Sequence, residues 1–407
     1  MTPEGWQQVP LARIVRAIVE TSEPSVNDER PYVALEHIAQ GEPRLLGWSR
    51  AAIATSTKAT FCRGDLLFGK LRPNLRKAVV APFDGICSTD ILVLRAMHGA
   101  DSRYLQCLAH WPPFQAHAVS TASGTKMPRT SWALLAQFLT PLPPLAEQRK
   151  IAAILSSVDE AIEATQAVID QLGVVKKAMM AELLTRGLPG RHTRFKQTEI
   201  GEVPEEWRTP LLDEVARRGS GHTPNKSHPE YWGGDIKWLS LADSWQLDRL
   251  HVSHTSALIT PEGIANSSAV EHPAGTVVLS RDGSRLGKSA ILTSSMAVSQ
   301  HFLAWTCGEH LSNYFLYYWL QLQKQEFARI ATGSTIPTIG LPYFKGLRVP
   351  LPPVAEQVAV AEAVKSVDLR IFEEERSVEV MRVVKSALSS VLLTGEVRVT
   401  PDPEPAP

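Results

Sequence analysis

The stretch 141-PLPPLAEQRKIAAILSSVDEAIEATQ-166 returns 209 residues later as 350-PLPPVAEQVAVAEAVKSVDLRIFEEER-376. Both copies then continue without a gap to a Leu-Leu-Thr triplet, at 183–185 and at 392–394. One long segment that closes two blocks of similar length indicates an internal duplication.

Each copy predicts a long helix that begins just after its Pro-Pro pair, because proline holds the preceding residue in extended backbone. Glu147 and Glu356 then fall in the first turn, where the helix dipole favours an acid. The apolar side chains follow alternating steps of four and three residues, which is the spacing of a narrow heptad seam. The seam residues are Ile151, Leu155, Val158, Ile162, Ile169, Leu172, Met179 and Leu183 in the first copy, and Val360, Val364, Val367, Ile371, Val378, Met381, Leu388 and Leu392 in the second.

A narrow seam needs a partner helix, and its first copy would be roughly 50 Å long. Polar residues interrupt both seams in equivalent slots: Thr165 and Lys176 in the first, Glu374 and Lys385 in the second. Polar residues at equivalent seam positions are a feature that fixes the register of a helix pair. They favour an antiparallel pair formed by the two copies over two unrelated helices or a homodimeric coiled coil. Glu374 places an acid in the second seam, at the slot that Thr165 occupies in the first.

The duplication extends to the blocks before the helices. GDLLFGK at 64–70 parallels GTVVLSR at 275–281, and SGTKMP at 123–128 parallels TGSTIP at 332–337. Short β-branched runs between Gly, Pro and Asp, followed by apolar helical segments, predict an α/β or α+β block with a mixed sheet. The predicted domains are a globular domain 1–140, a spacer helix 141–187, a linker and second globular domain 188–349, a second spacer helix 350–396 and a C-terminal tail 397–407. Residues 401–407 of this tail are expected to be disordered.

Composition limits the class of protein. Over 407 residues, 42 basic side chains balance 42 acidic ones, so any nucleic-acid surface must be local. The four cysteines lack metal-ligand spacing and suit a reducing cytoplasm. Without a signal peptide or a membrane-spanning apolar run, the chain is expected to be intracellular.

Catalytic motifs are missing from the sequence. GSRLGKS at 283–289 resembles a phosphate-binding loop but has three residues between its glycines instead of four. No Gly-rich methyl-donor loop, paired carboxylates or nucleophile motif is present, so we expect a binding protein without a catalytic residue, metal or cofactor of its own.

The segment 44–77 carries eight basic residues against one acid, Asp65. Its KLRPNLRK loop places cations around a proline just after a predicted strand, where they could contact phosphates and base edges. The candidate DNA-binding residues here are Lys70, Arg72, Asn74, Arg76 and Lys77. A solvated basic turn remains the alternative.

The second block has cations at the parallel place, in SRDGSRLGK at 280–288. The candidates here are Arg281, Ser284, Arg285 and Lys288. The loops near the end of each block add Lys126 and Arg129 in the first, and Ser334, Thr335 and Thr338 in the second, unless they are only turns. Aromatic residues at 314–319 suggest a base-stacking surface, but their helical spacing favours core packing.

The tandem blocks, each followed by PLPP-x-AEQ and a long helix, resemble the specificity (S) subunit of type I restriction-modification enzymes. GDLLFGKLRP, YWGGDIKWLS and VVLSRDGSRLGKSAI inside the blocks add to the resemblance, which covers residues 5–399. It implies two target-recognition domains, each reading half of a split double-stranded DNA site, with the two helices acting as a ruler.

The resemblance also implies two methyltransferase subunits, which use S-adenosylmethionine on a flipped adenine, and restriction/translocase subunits, which use ATP with Mg. The two half-sites should differ in sequence and lie about one helical turn, roughly 34–36 Å, apart. Two alternatives remain open: a stand-alone DNA-binding or anti-restriction protein on the same scaffold, and a coiled-coil adaptor that binds protein.

Overall fold

The chain forms two compact units in a computed structural model. The first unit combines Met1–Ala167 with Glu374–Pro407, and the second is Val168–Glu373. The structure describes residues 3–333 and 336–401, apart from the side chain of Ser220. Ser334, Thr335 and the end of the predicted tail therefore lie outside the described residues.

Eleven strands and several short helices precede the first long helix in the described part of the first unit. The strands are β1 (Gln7–Pro10), β2 (Val15–Ile18), β3 (Thr21–Ser22), β4 (Pro31–Val33), β5 (Ser49–Arg50), β6 (Lys58–Phe61), β7 (Leu66–Gly69), β8 (Ala78–Val80), β9 (Gly85–Cys87), β10 (Ile91–Ala96) and β11 (Leu139–Leu142). The helices are α1 (Ser102–His110), α2 (Pro112–Ser120), α3 (Trp132–Leu135) and the long helix α4 (Leu145–Arg186), whose second half belongs to the second unit. One-turn 3-10 helices lie at Leu11–Arg13, Leu35–His37, Ala51–Ile53 and Pro73–Leu75.

Two sheets form the body of the first unit. One has the order β2-β10-β7-β8 and is antiparallel, and the other has the order β3-β6-β9-β4-β5 with β4 and β9 parallel. Helix α1 follows β10 and begins at Asp101, whose carboxylate accepts from the backbone N–H groups of Arg103 and Tyr104. The buried face of α1 carries Tyr104, Leu105 and Leu108, which pack on the first sheet.

The second unit repeats this plan. Its strands are β12 (Phe195–Thr198), β13 (Gly201–Pro204), β14 (Ala216–Ser220), β15 (Trp232–Leu239), β16 (His251–Val252), β17 (Ala257–Ile259), β18 (Glu271–His272), β19 (Val277–Ser280), β20 (Ser289–Leu292), β21 (Met296–Val298) and β22 (Phe302–Cys307). Its helices are α5 (Leu212–Val215), α6 (Pro261–Ala265), α7 (Asn313–Leu322), α8 (Lys324–Ile330), α9 (Leu341–Lys345) and the long helix α10 (Val354–Leu392), whose second half belongs to the first unit. The 3-10 helices are Pro229–Tyr231, Leu241–Gln246 and Gly283–Arg285.

Strands β12 and β13 form an antiparallel pair, and the two larger sheets of the second unit have the orders β14-β22-β19-β20-β16 and β17-β15-β21-β18. Each contains one parallel pair, β16 with β20 and β15 with β21, so the predicted mixed α/β architecture is confirmed. Strands β7, β8, β9 and β10 correspond to β19, β20, β21 and β22, each beginning 211 residues earlier in the chain.

Segments of the two long helices pair antiparallel within each unit. In the first unit Asp159 of α4 contacts Lys385 of α10, and in the second Lys176 of α4 contacts Asp368 of α10, each pair with a nitrogen-to-oxygen distance of 2.5 Å. All sixteen predicted seam residues are buried or half-buried, and so is Glu374. Near the unit cores the buried stripe widens beyond the seam to Met180, Leu184 and similar positions.

The repeated Ala-Glu-Gln ties each long helix to its unit. Gln148 is buried: its Oε1 accepts from the Asp101 N–H at the start of α1, and its Nε2 donates to the carbonyl oxygens of Gly99 and Pro143. Gln357 makes the same contacts to the Ser312 N–H and to the His310 and Pro352 carbonyl oxygens. We predicted only a first-turn acid here, so the sequence pattern missed the glutamine that joins the start of each long helix to the start of a second helix.

The neighbouring glutamates are also buried, and each accepts hydrogen bonds within its own unit. Glu147 accepts from Trp6 Nε1 and from the guanidinium of Arg398. Glu356 is 2.8 Å from His192 Nε2. Within the described part of the chain, no helix is both long and apolar enough to cross a membrane.

Candidate nucleic-acid interface

The KLRPNLRK loop follows β7, a strand whose four residues are all buried. The Gly69 N–H donates to the Lys77 carbonyl oxygen at 2.8 Å, which closes the loop. Arg72 and Arg76 flank the Pro73–Leu75 turn in left-handed backbone, with φ of 51° and 49°. Because left-handed backbone is unfavourable for residues with a Cβ, this loop is strained at both arginines.

The two candidate loops of the first unit pair with each other. The Arg72 N–H donates to the Pro128 carbonyl oxygen at 2.7 Å, and the Thr130 N–H donates to the Lys70 carbonyl oxygen at 3.1 Å. Arg129 also donates to the carboxylate of Asp90, with a shortest distance of 2.9 Å, and this hydrogen bond raises the pKa of the guanidinium. Asp90 thus stabilises the loop 123–130 through Arg129. The sequence analysis did not select this residue.

The side chains in this loop pair divide into engaged and free groups. Lys77 Nζ donates to the Leu35 carbonyl oxygen at 2.6 Å, and Arg129 is paired with Asp90. Among the described residues, the Arg72 side chain makes only a long 3.5 Å contact to the Lys126 carbonyl oxygen. Lys70, Asn74, Arg76 and Lys126 make no side-chain hydrogen bond or ion pair with any described residue, and the last three are exposed.

The second unit repeats the backbone of this loop pair. The Ser280 N–H donates to the Lys288 carbonyl oxygen at 2.8 Å, which matches the closure in the first unit. The Gly283 N–H donates to the Pro337 carbonyl oxygen at 3.0 Å, and the Ile339 N–H donates to the Arg281 carbonyl oxygen at 2.9 Å. The left-handed positions here are Gly283 and Gly287, with φ of +73° and +78°, so this loop adopts the conformation without the strain.

Different side chains occupy the second loop pair. His301, at the place of Asp90, lies 2.9 Å from the carboxylate of Asp282. Lys288 is 3.2 Å from Asp248 and is therefore engaged. Ser284 is exposed and Arg285 is half-buried, and neither side chain has a hydrogen-bond partner among the described residues.

Arg281 and Thr338 complete this set. Arg281 is half-buried, and its Nε has no hydrogen-bond partner within residues 3–333 and 336–401. The Thr338 hydroxyl donates to the Ile336 carbonyl oxygen at 3.3 Å, and Thr332 and Thr338 exchange backbone hydrogen bonds.

Two other features are structural. The aromatic residues Phe315, Tyr317, Tyr318 and Trp319 of α7 are buried in the core of the second unit, so the core alternative is correct. Asp65 is buried and accepts from Arg95 through both carboxylate oxygens at 2.7 Å. The one acid in the basic segment therefore leaves the neighbouring loop cations unpaired.

The described residues contain no group of three or more His, Cys, Asp or Glu side chains placed to hold a metal ion. The two loop pairs instead offer cations, an amide and a hydroxyl on closed backbone scaffolds. Lys and Arg side chains bind phosphates, while Asn and Arg also contact base edges in the major groove.

Comparisons with known proteins agree with this chemistry. The model of the "Type I restriction modification DNA specificity domain" family matches residues 3–173 and 204–381. The chain belongs to this family and carries two copies of the domain. It is a specificity subunit of type I restriction-modification systems, with two target-recognition domains.

Two curated relatives come from Methanocaldococcus jannaschii. The type I restriction enzyme MjaVIII specificity subunit is 26% identical over 98% of this chain and 94% of its own length. The putative MjaX specificity subunit is also 26% identical, over 83% of this chain and 79% of its own.

Solved structures share the fold. One comes from work on complex assembly and conformational transition of the type I R-M system, with a TM-score of 0.61, 19% identity and coverage of 98% of this chain and 100% of that one. Another is the type I restriction-modification S subunit from M. genitalium, with a TM-score of 0.57, 13% identity and coverage of 95% and 96%.

Proposed function

We propose that this specificity subunit binds a split, asymmetric sequence in double-stranded DNA, and that each unit reads one half with its own loop pair. The observation that carries the proposal is the pair of loops with one backbone hydrogen-bond pattern and two sets of side chains. Gly69–Lys77 and Ser280–Lys288 close identically, yet one offers Asn74 and Arg76 and the other Ser284 and Arg285. The same scaffold with different chemistry supports two different half-sites.

The loop residues would divide their roles. Lys70, Lys126 and Arg281 would bind phosphates and position each unit on the duplex, a contribution that depends strongly on salt. Asn74, Arg76, Ser284 and Arg285 would contact base edges, because amide and guanidinium groups form bidentate hydrogen bonds with purines. Lys77, Arg129 and Lys288 already have protein partners and would act by holding the loops in place.

The chain itself would do no covalent chemistry and hold no cofactor. It would place two methyltransferase subunits, which use S-adenosylmethionine, on the two half-sites, and restriction subunits that use ATP with Mg would join the same assembly. This division of labour is supported by the relatives, which are named specificity subunits of restriction enzymes.

The test is single-molecule sequencing of adenine methylation in cells that express the cognate methyltransferase with and without this chain. We expect a split motif with two unlike halves to be methylated only when the chain is present. If stable co-expression adds no methylation while the purified chain still binds duplex DNA, the proposed partnership is wrong and a stand-alone DNA-binding protein is the better description.

A further inference from the structure

A cavity of about 350 Å³ in the first unit lies beside the ion pair between Asp159 and Lys385. Its walls come from α1, from both long helices and from the segment 40–43, together with Arg76 of the KLRPNLRK loop and Pro112 of α2. All of these residues belong to the first unit. The second unit shows, in its own side chains, what such a cavity would hold.

Helices α1 and α7 are equivalent, as their hydrogen bonds demonstrate. The residue that caps the start of each helix, Asp101 or Ser312, donates its backbone N–H to the buried glutamine described above, and the last turns also match. His110 Nε2 lies 2.8 Å from the Ala78 carbonyl oxygen, and Gln321 Nε2 lies 3.4 Å from the Ser289 carbonyl oxygen, with both members of the pair 211 residues apart. Cys107 therefore stands where Tyr318 stands in the second unit, and Gln106 stands at the place of Tyr317.

In the second unit the tyrosine completes a buried arrangement. The Tyr318 hydroxyl donates to Asp368 at 2.8 Å, and Lys176 Nζ lies 5.8 Å from the centre of the ring. Lys176 and Asp368 also pair directly with each other. Ring, carboxylate and ammonium thus form one cluster, in which the cation faces the aromatic ring.

The first unit keeps the charged pair but lacks the ring. Cys107 is far smaller than tyrosine, and Gln106 Oε1 is turned toward the sheet, where it accepts from the Val80 N–H at 2.6 Å. The cavity reaches Cys107, Leu155, Asp159 and Ile162. The cavity of about 330 Å³ at the related place in the second unit is lined by residues such as Lys176 and Gln321, and among the described residues its lining includes neither Tyr318 nor Asp368.

We propose that the cavity of the first unit binds a small phenol, a neutral planar ring that carries a hydroxyl group. The ring lies against Cys107, Leu155 and Ile162, and the hydroxyl donates to Asp159, as the Tyr318 hydroxyl donates to Asp368. A cavity of about 150 Å³ is enough to bind benzene. The cavity of about 350 Å³ in the first unit is therefore large enough for a substituted ring.

Three cations line the cavity, and two of them are compensated by an acid. Lys385 is paired with Asp159, and Arg382 is paired with Glu42 at 2.8 Å, whereas Arg76 has no side-chain partner among the described residues. His110 also lines the cavity, and its Nδ1 is buried without a hydrogen-bond partner among the described residues. A ligand with one polar group satisfies this lining better than an apolar molecule of the same shape.

The test uses p-cresol as the probe and the full chain. We expect ligand-observed NMR to show saturable binding, and Cys107→Tyr to weaken it by about tenfold or more because the new ring fills the cavity. Toluene, which lacks the hydroxyl, should bind more weakly than p-cresol. Absence of saturable binding, or equal binding by the Cys107→Tyr variant, would overturn the proposal.

Two further measurements do not depend on the folding of that variant. In methyl-labelled wild-type protein, p-cresol should shift the methyl signals of Leu155 and Ile162, and shifts at Val364 and Ile371 instead would contradict the assignment. Tyr318→Cys is the matched variant in the second unit. It should create a second p-cresol site and raise the stoichiometry from one to two.

Discussion

Asp159 and Lys385 lie 2.5 Å apart and join α4 to α10 in the first unit, and Asp368 and Lys176 repeat the contact at the same distance in the second. Each residue lies 209 positions from its counterpart. Both side chains of each pair are about four-fifths buried. A charged pair inside a helix seam fixes which residues face each other, because any slip leaves a buried charge without a partner.

Replacement of Lys385 by Met should therefore destabilise the first unit. Asp159 would stay in the seam without its cation, and burial already raises the pKa of this carboxyl. We expect a loss of about 1–3 kcal/mol in the free energy of unfolding, measured by urea denaturation. The double variant Asp159→Leu with Lys385→Met should regain most of that loss, and a double variant no more stable than the single one would argue against a register role.

Base recognition should be separable between the two units. Arg76→Ala should cost about 1–3 kcal/mol of binding to the cognate site and relax the sequence requirement in one half-site only. Arg285→Ala removes the corresponding free guanidinium of the other loop pair, at the position equivalent to Asn74, and should relax the other half. Methylation sequencing of cells carrying each variant is the measurement, and relaxation of both halves by one variant would contradict separate reading.

The duplication made the helices and the mixed sheets predictable, since a period of 209 residues and heptad spacing survive in the sequence. The two loops of each unit were predicted separately, and their pairing was not. The pairing of the loops depends on backbone groups, such as the Pro128 carbonyl oxygen that accepts from the Arg72 N–H. Because almost every residue type has these groups, the pairing cannot be recognised from the sequence.

The number of basic residues in a segment also does not show which of them are free to bind DNA. Lys77 and Arg76 are neighbours in sequence, yet Lys77 donates to the Leu35 carbonyl oxygen while Arg76 has no side-chain partner among the described residues. The role of Gln148 could not be predicted for a related reason. Its hydrogen-bond partners, Asp101 at the start of α1 and Gly99, are almost fifty residues away in the chain. Such contacts depend on tertiary structure, so a single sequence does not reveal them.

Salt dependence should distinguish Lys126 from Lys77. Lys126 is exposed and free, so Lys126→Ala should weaken binding to all sequences alike and reduce the slope of log K against log salt by about 0.9. Lys77→Ala is the control, because its ammonium serves the protein backbone and should leave the slope unchanged. Fluorescence anisotropy with a cognate duplex between low and moderate salt gives both slopes. Equal slopes for wild type and Lys126→Ala would remove this residue from the interface.

His110 should make the first unit sensitive to acid. Burial lowers the pKa of its imidazole from 6.5 to about 4 in the folded chain. Below pH 6.5 the unfolded chain therefore binds a proton that the folded chain does not, and the stability that neutral His110 contributes is lost between pH 6.5 and about 4. The loss is at most about 3 kcal/mol, from 1.36 kcal/mol for each pH unit.

His110→Gln isolates this effect from the carboxylates that titrate in the same range. Glutamine occupies the equivalent position 321, where its amide donates to the Ser289 carbonyl oxygen as His110 does to the Ala78 carbonyl oxygen. The variant should keep that hydrogen bond but have no group to titrate. Urea denaturation at several pH values should show the wild type losing stability relative to His110→Gln as the pH falls from 6.5 to 4. Parallel stability profiles would mean that His110 already gains a proton in the folded chain within this range, and that its Nδ1 is accessible to water.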